Sequence, residues 1–391
     1  MRILRVIASM NPEHGGPCQG IRNSIPALQQ LGVENEVVCF DSPDASYLGM
    51  DGFAIHAIGP AKGPYAYCAA LQPWLIENFA RFDAVIIHGL WLYNSYGTYK
   101  AWKAFKKNNS KYPKLFVMPH GMLDPYFQKA KERRIKAIRN WIFWKLFENK
   151  VVNKSSGVLF TCQEELLLAR QPFTPYSPNA ELNVGYGIPN PVAFSQEMLT
   201  AFYEKCPQVA NKPYIVFLSR IHPKKGVDLL INAYNTLYKN NKTIPSLVIA
   251  GPGLDTDYGK QLKGIAGDNI YFPGMLGGNS KWGAFYGSEA FILPSHQENF
   301  GIAVVEAMAA GKAVIISDQV NIWREIKDGK GGIIIKDTQE GALSGLEQWV
   351  NLTQEQKVTM GVNAQNTYKK FFSIEQAALN LKTIFEQQIN G

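Results

Sequence analysis

Glu298 and Glu306 flank a strand-to-helix elbow in the run FILPSHQENFGIAVVEAMAAGKAVIISD. The run reads as an apolar strand, a polar turn, a helix with small residues on one side, a glycine stop and a second apolar strand. A helix entered straight from a strand leaves its first backbone amides unpaired and aimed beyond the sheet, where an anion can bind. With a helix start near Phe300, Glu298 lies at its mouth and Glu306 within its first two turns. Val304, Val305, Ala307, Met308, Ala309 and Ala310 crowd Glu306 in sequence. A carboxylate in that company needs a hydrogen-bonded partner, and vicinal hydroxyls suit it.

Cations stand earlier in the same half. Arg220 closes an apolar strand and Lys225 precedes Gly226 at a helix start. Two cations and a helix amino end on one crevice would hold a diphosphate through charge-assisted hydrogen bonds, without metal. Gly251 and Gly253 in AGPG allow close backbone approach after a strand, to a ligand or to another turn. In the first half, Gly15 and Gly16 precede a helix after the first strand, where absent side chains let amides approach a phosphate or sugar. His88 follows AVII, His120 follows LFVMP, and each is succeeded by glycine. A histidine at a strand mouth either donates to a hydroxyl or holds a backbone carbonyl.

These residues need a scaffold, and the chain supplies one twice. Continuous apolar strands alternate with amphipathic helices in both halves, which implies parallel sheets covered on both faces. Such sheets bind ligands at the carboxyl ends of their strands. The expected class is α/β, with two doubly wound domains. At 391 residues two cores fit comfortably, and 46% hydrophobic with 18% charged residues excludes wholesale disorder. The periodic pattern lapses in NPVAFSQEMLTAFYEKCPQVANKP, so the domains are drawn as 1–195 and 196–371, with an amphipathic helix at 372–391. Five scattered cysteines without a C-x-x-C pair suggest neither a disulfide framework nor a zinc site. The start lacks a signal-peptide core and no run approaches the roughly 18 apolar residues of a membrane span. A cytoplasmic location is expected, and the net charge of +8 calls for an anionic partner.

One stretch leaves its partner open. In QKAKERRIKAIRNWIFWKLFENKVVNKS, Ile135, Ile138, Trp141, Ile142 and Leu146 recur at helical spacing, with Lys129, Lys131, Arg133, Arg134, Lys136 and Arg139 crowding the first part. The ordinary reading is a core helix with a solvated basic face. The sharper one is contact of Arg133, Arg134 and the aromatic residues with an anionic, lipid-linked acceptor at the inner face of a membrane.

The E-x7-E spacing of Glu298 and Glu306 resembles the signature of retaining nucleotide-sugar glycosyltransferases of family four, the group 1 glycosyltransferases, which have the GT-B fold. R-x-x-x-x-K-G of that family matches at Arg220, Lys225 and Gly226. The resemblance is most specific over residues 212–330. It implies two Rossmann-like domains facing across a cleft, with the first recognising the acceptor and the terminal helix returning to it. By the same resemblance, Arg220 and Lys225 stabilise the leaving diphosphate and Glu306 holds the ribose. Glu298 and the amides of Asn299, Phe300 and Gly301 position the donor sugar, and His120 contacts that sugar near its anomeric side. Gly274 and Met275 hold the base through main-chain contacts, and the Gly15–Gly16 loop faces the donor phosphates and the acceptor. From their own strand-end positions, and not from the resemblance, Gly251 is placed on the donor side and His88 toward the acceptor.

The activity this implies is metal-independent transfer of a hexose, with UDP-glucose the typical donor, to a glycan or lipid-linked acceptor in polysaccharide synthesis. No cofactor is expected. An epimerase or hydrolase of the same fold and a non-catalytic sugar-nucleotide-binding protein are the rival readings. No G-x-G-x-x-G opens a helix after the first strand, which disfavours a dinucleotide dehydrogenase, and net charge alone does not argue for nucleic acid.

Overall fold

The computed structural model describes residues 1–130 and 133–390. It divides into two units, Met1–Gly187 with Ile374–Gly391, and Ile188–Ser373. Lys131 lies outside the described residues.

The first unit is built on β1 (Arg2–Val6), β2 (Glu34–Cys39), β3 (Ile55–Ala57), β4 (Ala84–His88), β5 (Lys114–Met118), β6 (Gly157–Phe160) and β7 (Glu181–Asn183). They form one parallel sheet in the order β3-β2-β1-β4-β5-β6-β7. Order reverses between β1 and β4, so the two crossovers leave to opposite faces and open a crevice at the carboxyl ends of those strands. Alternate residues serve separate cores. Leu4, Val85, Leu115 and Val158 pack on one side, and Ile3, Ala84, Ile86, Phe116 and Leu159 on the other. The second core is closed by the helix Ile374–Asn390, whose Ile374, Ala378, Leu381 and Phe385 fall on one stripe. Phe385 stacks on Phe116 of β5 at 4.5 Å between ring centroids.

The second unit repeats the plan with β8 (Tyr214–Leu218), β9 (Ser246–Ala250), β10 (Ile270–Gly274), β11 (Ala290–Leu293), β12 (Ala313–Ser317) and β13 (Gly332–Ile335). Its parallel order is β10-β9-β8-β11-β12-β13, and the reversal falls between β8 and β11. Every residue of β9, β11 and β12 is buried, as continuous apolar strands under two helical layers must be.

Two expectations from the sequence need correction. The chain enters the second unit at Ile188 and leaves it at Ser373, so the boundaries drawn at 195/196 and 371/372 shift. Much of the stretch expected as linker is the helix Gln196–Lys205, with Met198 and Phe202 buried. It lies so close to the helix Gly278–Gly287 that a Cβ on Gly283 would meet the Met198 carbonyl oxygen at 1.9 Å. Local polarity hid an element that small residues elsewhere accommodate.

The other correction concerns the basic helix. Ile135, Ile138, Trp141, Ile142 and Leu146 are not core: Ile135 is 87% exposed and Trp141 54%. The helix Arg134–Phe143 and the π turn Trp144–Glu148 that continues it bury Asn140, Trp144 and Glu148 instead. Trp144 stacks on Phe173 and Glu148 accepts from the Trp91 amide and the Ser95 hydroxyl. The i, i+4, i+8 series 140, 144, 148 faces inward, so the apolar stripe faces out.

Candidate functional site

Arg220 follows β8 and the elbow follows β11, so the topology sets them side by side at the reversal of strand order. The two turns are fastened together by main-chain bonds. The Lys224 carbonyl accepts from the His296 amide at 2.8 Å and the Ser295 hydroxyl at 2.9 Å. The Lys224 side chain reaches Gln297 Oε1 at 2.7 Å. Gly226, left-handed at φ +65°, lies against Pro294, whose carbonyl oxygen would stand 2.1 Å from any Cβ there. Only glycine lets Lys225 reach the elbow.

Lys225 is buried, and its ammonium pairs directly with the Glu298 carboxylate. Burial, then the positive charges of Lys224 and Arg220, pull its pKa down to about 7. Arg220 is therefore near enough for its charge to be felt, yet it is exposed and makes no ion pair among the described residues. Two cations that repel one another around a single carboxylate are poised for a ligand with more negative charge than Glu298 supplies.

The helix after the elbow runs Ile302–Ala309, two residues later than the expected start near Phe300. Its N-cap is Gly301 at φ +76°, which has no side chain to cap the first amides. The elbow itself is pinned by the Glu298 amide donating to the Gln319 carbonyl and the Asn321 amide donating to the Glu298 carbonyl, both at 2.9 Å. The Asn299 Oδ1 accepts from Asn321 Nδ2 at 3.3 Å. Phe300 is buried edge-to-face against Phe372. Glu306 is held by Lys281 at 2.7 Å, a residue the sequence reading missed. Its signal was a lone cation in the glycine-rich helix Gly278–Gly287.

Gly251 and Gly253 serve their own fold. A Cβ on Gly251 would meet the Ser219 carbonyl oxygen at 1.9 Å, and one on Gly253 the Ile221 carbonyl oxygen at 2.6 Å. These glycines let the two turns at the ends of β8 and β9 nest, which places Arg220. Gly274 ends β10 at φ +79° with open space before it, and Met275 beside it is 74% exposed.

The first unit gathers a different set. Gly15, at φ +86°, and Gly16 cap the helix Gly16–Gln30 with no atom near either Cβ position. His120 lies in the turn after β5, in the left-handed region at φ +52°, a strained conformation for a non-glycine residue. The buried Glu165 carboxylate fixes that turn, accepting the Gly121 amide at 2.5 Å and the Thr161 amide at 2.7 Å. His120 Nε2 lies 2.9 Å from His88 Nδ1, with the rings stacked. His88, expected toward the acceptor, is buried, and its other nitrogen faces Arg5 at 3.5 Å. It backs His120 rather than meeting solvent. Arg5 and Glu165 were both missed: one sits in an apolar strand, the other in an ordinary helical pattern. Arg133 lies over the Phe127 ring at 4.7 Å, while Arg134 is exposed.

Residues 202–367 match the family described as glycosyl transferases group 1. An uncharacterized glycosyltransferase of Methanocaldococcus jannaschii is 29% identical over 183 residues, 46% of each chain. The phosphatidyl-myo-inositol mannosyltransferase of Mycobacterium tuberculosis is 34% identical over 139 residues, 33% of this chain and 35% of that one. These matches span less than half the length of the relatives. Among solved structures, a glycosyltransferase from Rickettsia africae gives a TM-score of 0.75 at 16% identity, over 100% of this chain and 99% of that one. HepE of Anabaena in complex with UDP and glucose gives 0.71 at 16% identity, over 99% of this chain and 100% of that one. At that identity the likeness is one of fold: the two parallel-sheet Rossmann-like units are those of GT-B glycosyltransferases.

The contact at Gly226 is open to test. Gly226→Ala forces a left-handed alanine, about 1–2 kcal/mol by itself, and drives its methyl onto Pro294. A lowered melting temperature with displaced Lys225 is expected in calorimetry and crystal structure; unchanged stability refutes the assignment.

Proposed function

We propose that the protein transfers a hexose from a nucleoside diphosphate sugar, UDP-glucose being the preferred case, to a glycan or lipid-linked saccharide, with retention of anomeric configuration and without metal. The observation that carries this reading is the buried Lys225 ammonium, crowded by Arg220 and Lys224 and answered by one carboxylate. A donor diphosphate supplies the missing negative charge. Arg220 and Lys225 then stabilise charge that grows on the diphosphate as the glycosidic bond breaks, an effect worth about a hundredfold or more per contact in turnover.

The remaining roles follow from position. The amides of Asn299, Phe300 and Gly301, with Glu298, meet the sugar hydroxyls. Glu306 takes the ribose hydroxyls, for which it shares or releases Lys281. Gly274 and Met275 meet the base. In the first unit, which is assigned the acceptor, His120 addresses the sugar near its anomeric side. The acceptor oxygen bonds to the anomeric carbon, the carbon–oxygen bond to the diphosphate breaks, and the acceptor proton passes to a departing phosphate oxygen on the same face. Asp255 and Asp257 do not compete as a metal pair: Asp257 opens the helix Asp257–Ile265, its side chain 98% exposed.

The exposed stripe of Ile135, Ile138, Trp141, Ile142 and Leu146 beside Arg134, Lys136 and Arg139 supports peripheral contact with an anionic membrane that presents the acceptor. No helix among the described residues is long and apolar enough to cross a membrane.

In an assay with EDTA present, Arg220→Ala with Lys225→Ala should lower kcat by about a hundredfold or more, with a smaller change in donor KM, while the wild type yields an anomer of the donor's configuration by NMR. Intact turnover in the double variant ends the assignment. Donor binding should also weaken with rising pH. Below about 7 Lys225 is cationic in the free protein, above it the charge is lost, and a bound diphosphate holds the proton on. Affinity measured by calorimetry should fall toward tenfold per pH unit above that point, and Lys225→Met should flatten the profile. For the membrane, the protein should pellet with phosphatidylglycerol vesicles at low salt and not with phosphatidylcholine; Ile138→Glu with Trp141→Glu should leave it in the supernatant. Equal sedimentation of both proteins rejects that contact.

A further inference from the structure

We propose that Trp91 is a stacking platform for one pyranose ring of the acceptor saccharide, with Glu148 as its positioning residue; this rests on the sugar-transfer reading and names a contact within it. Trp91 lies in the turn between β4 and the helix Tyr93–Asn108, at the carboxyl end of the first unit's sheet. Ligands of parallel sheets sit at that end. The neighbouring turn, after β5, carries His120 and Met122. The Leu90 amide donates to Met122 Sδ at 3.1 Å, and a Cβ on Gly89 would stand 3.2 Å from the Met122 methyl. Trp91 and Met122 are thus set on touching turns, and both are half-buried.

Trp91 is held there at a cost. Its backbone is left-handed, at φ +73°, a genuine outlier for a bulky side chain. Such strain persists only where the surroundings enforce it, and it collects at ligand clamps. The Trp91 amide donates to Glu148 Oε1 at 3.0 Å, and the Ser95 hydroxyl donates to Glu148 Oε2 at 2.5 Å. Glu148 is fully buried and forms no ion pair among the described residues, so a second costly feature serves the same turn. The ring is braced as well: it meets Phe173 at 5.4 Å between centroids, and Phe173 stacks on Trp144 at 4.8 Å. Trp144 and Glu148 begin and end one π turn, a rare element that recurs at functional sites. A tryptophan serving only as core filling needs neither a left-handed backbone nor an open N–H. The Trp91 indole N–H has no partner among the described residues and is not sealed in the core.

The chemistry selects a sugar. A pyranose offers a face of C–H bonds inside a rim of hydroxyls, which matches an indole face with a free N–H at its edge and the Met122 thioether beside it. A lipid chain leaves that N–H unanswered, and the exposed stripe of the helix Arg134–Phe143 already suits it. Because the π turn continues that helix, one element sets both the residue for the saccharide and the surface for its carrier.

The test uses the full chain with isotope-labelled indole nitrogens, the Trp91 N–H signal being the one that Trp91→Tyr removes. Methyl glycopyranosides of glucose, galactose, mannose and N-acetylglucosamine are titrated in turn, with glycerol as the polyol control and uridine as the stacking control. At least one glycoside should shift the Trp91 signal saturably, and glycerol should not. By saturation transfer to the sugar protons, Trp91→Gly should bind that glycoside about tenfold or more weaker, while Trp91→Tyr, which keeps a ring, stays within about threefold. Glycine leaves the left-handed backbone unstrained; should that variant fail to fold, Trp91→Leu takes its place. Glu148→Leu should move the Trp91 signal in the free protein and weaken the glycoside, and Glu148→Gln, which still accepts from the Trp91 amide, should restore both. No shift from any glycoside, a shift from uridine alone, or undiminished glycoside binding in Trp91→Gly overturns the proposal. UDP-glucose titrated separately reports on the transfer reading: absent donor binding with the glycoside shift intact sinks that reading and leaves Trp91 as a saccharide contact.

Discussion

The second unit depends on the nesting of three turns at the reversal of its strand order. Gly226 against Pro294, Gly251 against Ser219 and Gly253 against Ile221 are backbone approaches closer than any side chain allows. They bring Lys225 and Glu298 into contact and leave Arg220 near Lys225, all three on turns or a single 3-10 turn rather than on strands or α-helices. Because the packed partner in each case is a carbonyl oxygen rather than a flexible side chain, the tolerance for change is small. Lys225 is the product of that geometry: a cation buried deep enough to lose much of its basicity, kept beside one carboxylate.

The first unit solves a related problem with a different balance of charge. Its strand ends carry a seam of nitrogen, Arg5 to His88 to His120, under a helix that comes from the far end of the chain. The order of hydrogen bonding along that seam follows from one fact, that arginine only donates. Glu165 supports the His120–Gly121 turn through the Gly121 main-chain amide and ties it to the Thr161 amide after β6, so the left-handed backbone at His120 is braced from a neighbouring strand end. Outside, the same unit displays aliphatic and aromatic side chains among cations, a surface with the composition of an interfacial helix.

Period and punctuation were legible in the sequence. Apolar strands bounded by glycine and polar turns gave both parallel sheets, and the elbow with its two glutamates and the Arg–Lys–Gly turn were recoverable from residue type and spacing alone. The exposed face of the Arg134–Phe143 helix was not. An apolar stripe says which residues share a side, and only the packing of Asn140, Trp144 and Glu148 says which side is in. The helix Gln196–Lys205 was lost for the converse reason: two buried residues in a polar run make too weak a period to see.

What the chain alone determined was local: alternation along strands, the stripe of the terminal helix, and glycines where a cation must approach a neighbouring turn. What the tertiary structure decided was pairing between residues far apart in sequence, Lys225 with Glu298, Lys281 with Glu306 and Arg5 with His88. Propensity and periodicity act over a few residues, whereas burial and charge act through space, so the partner of a buried ion is fixed only once the strands have their order.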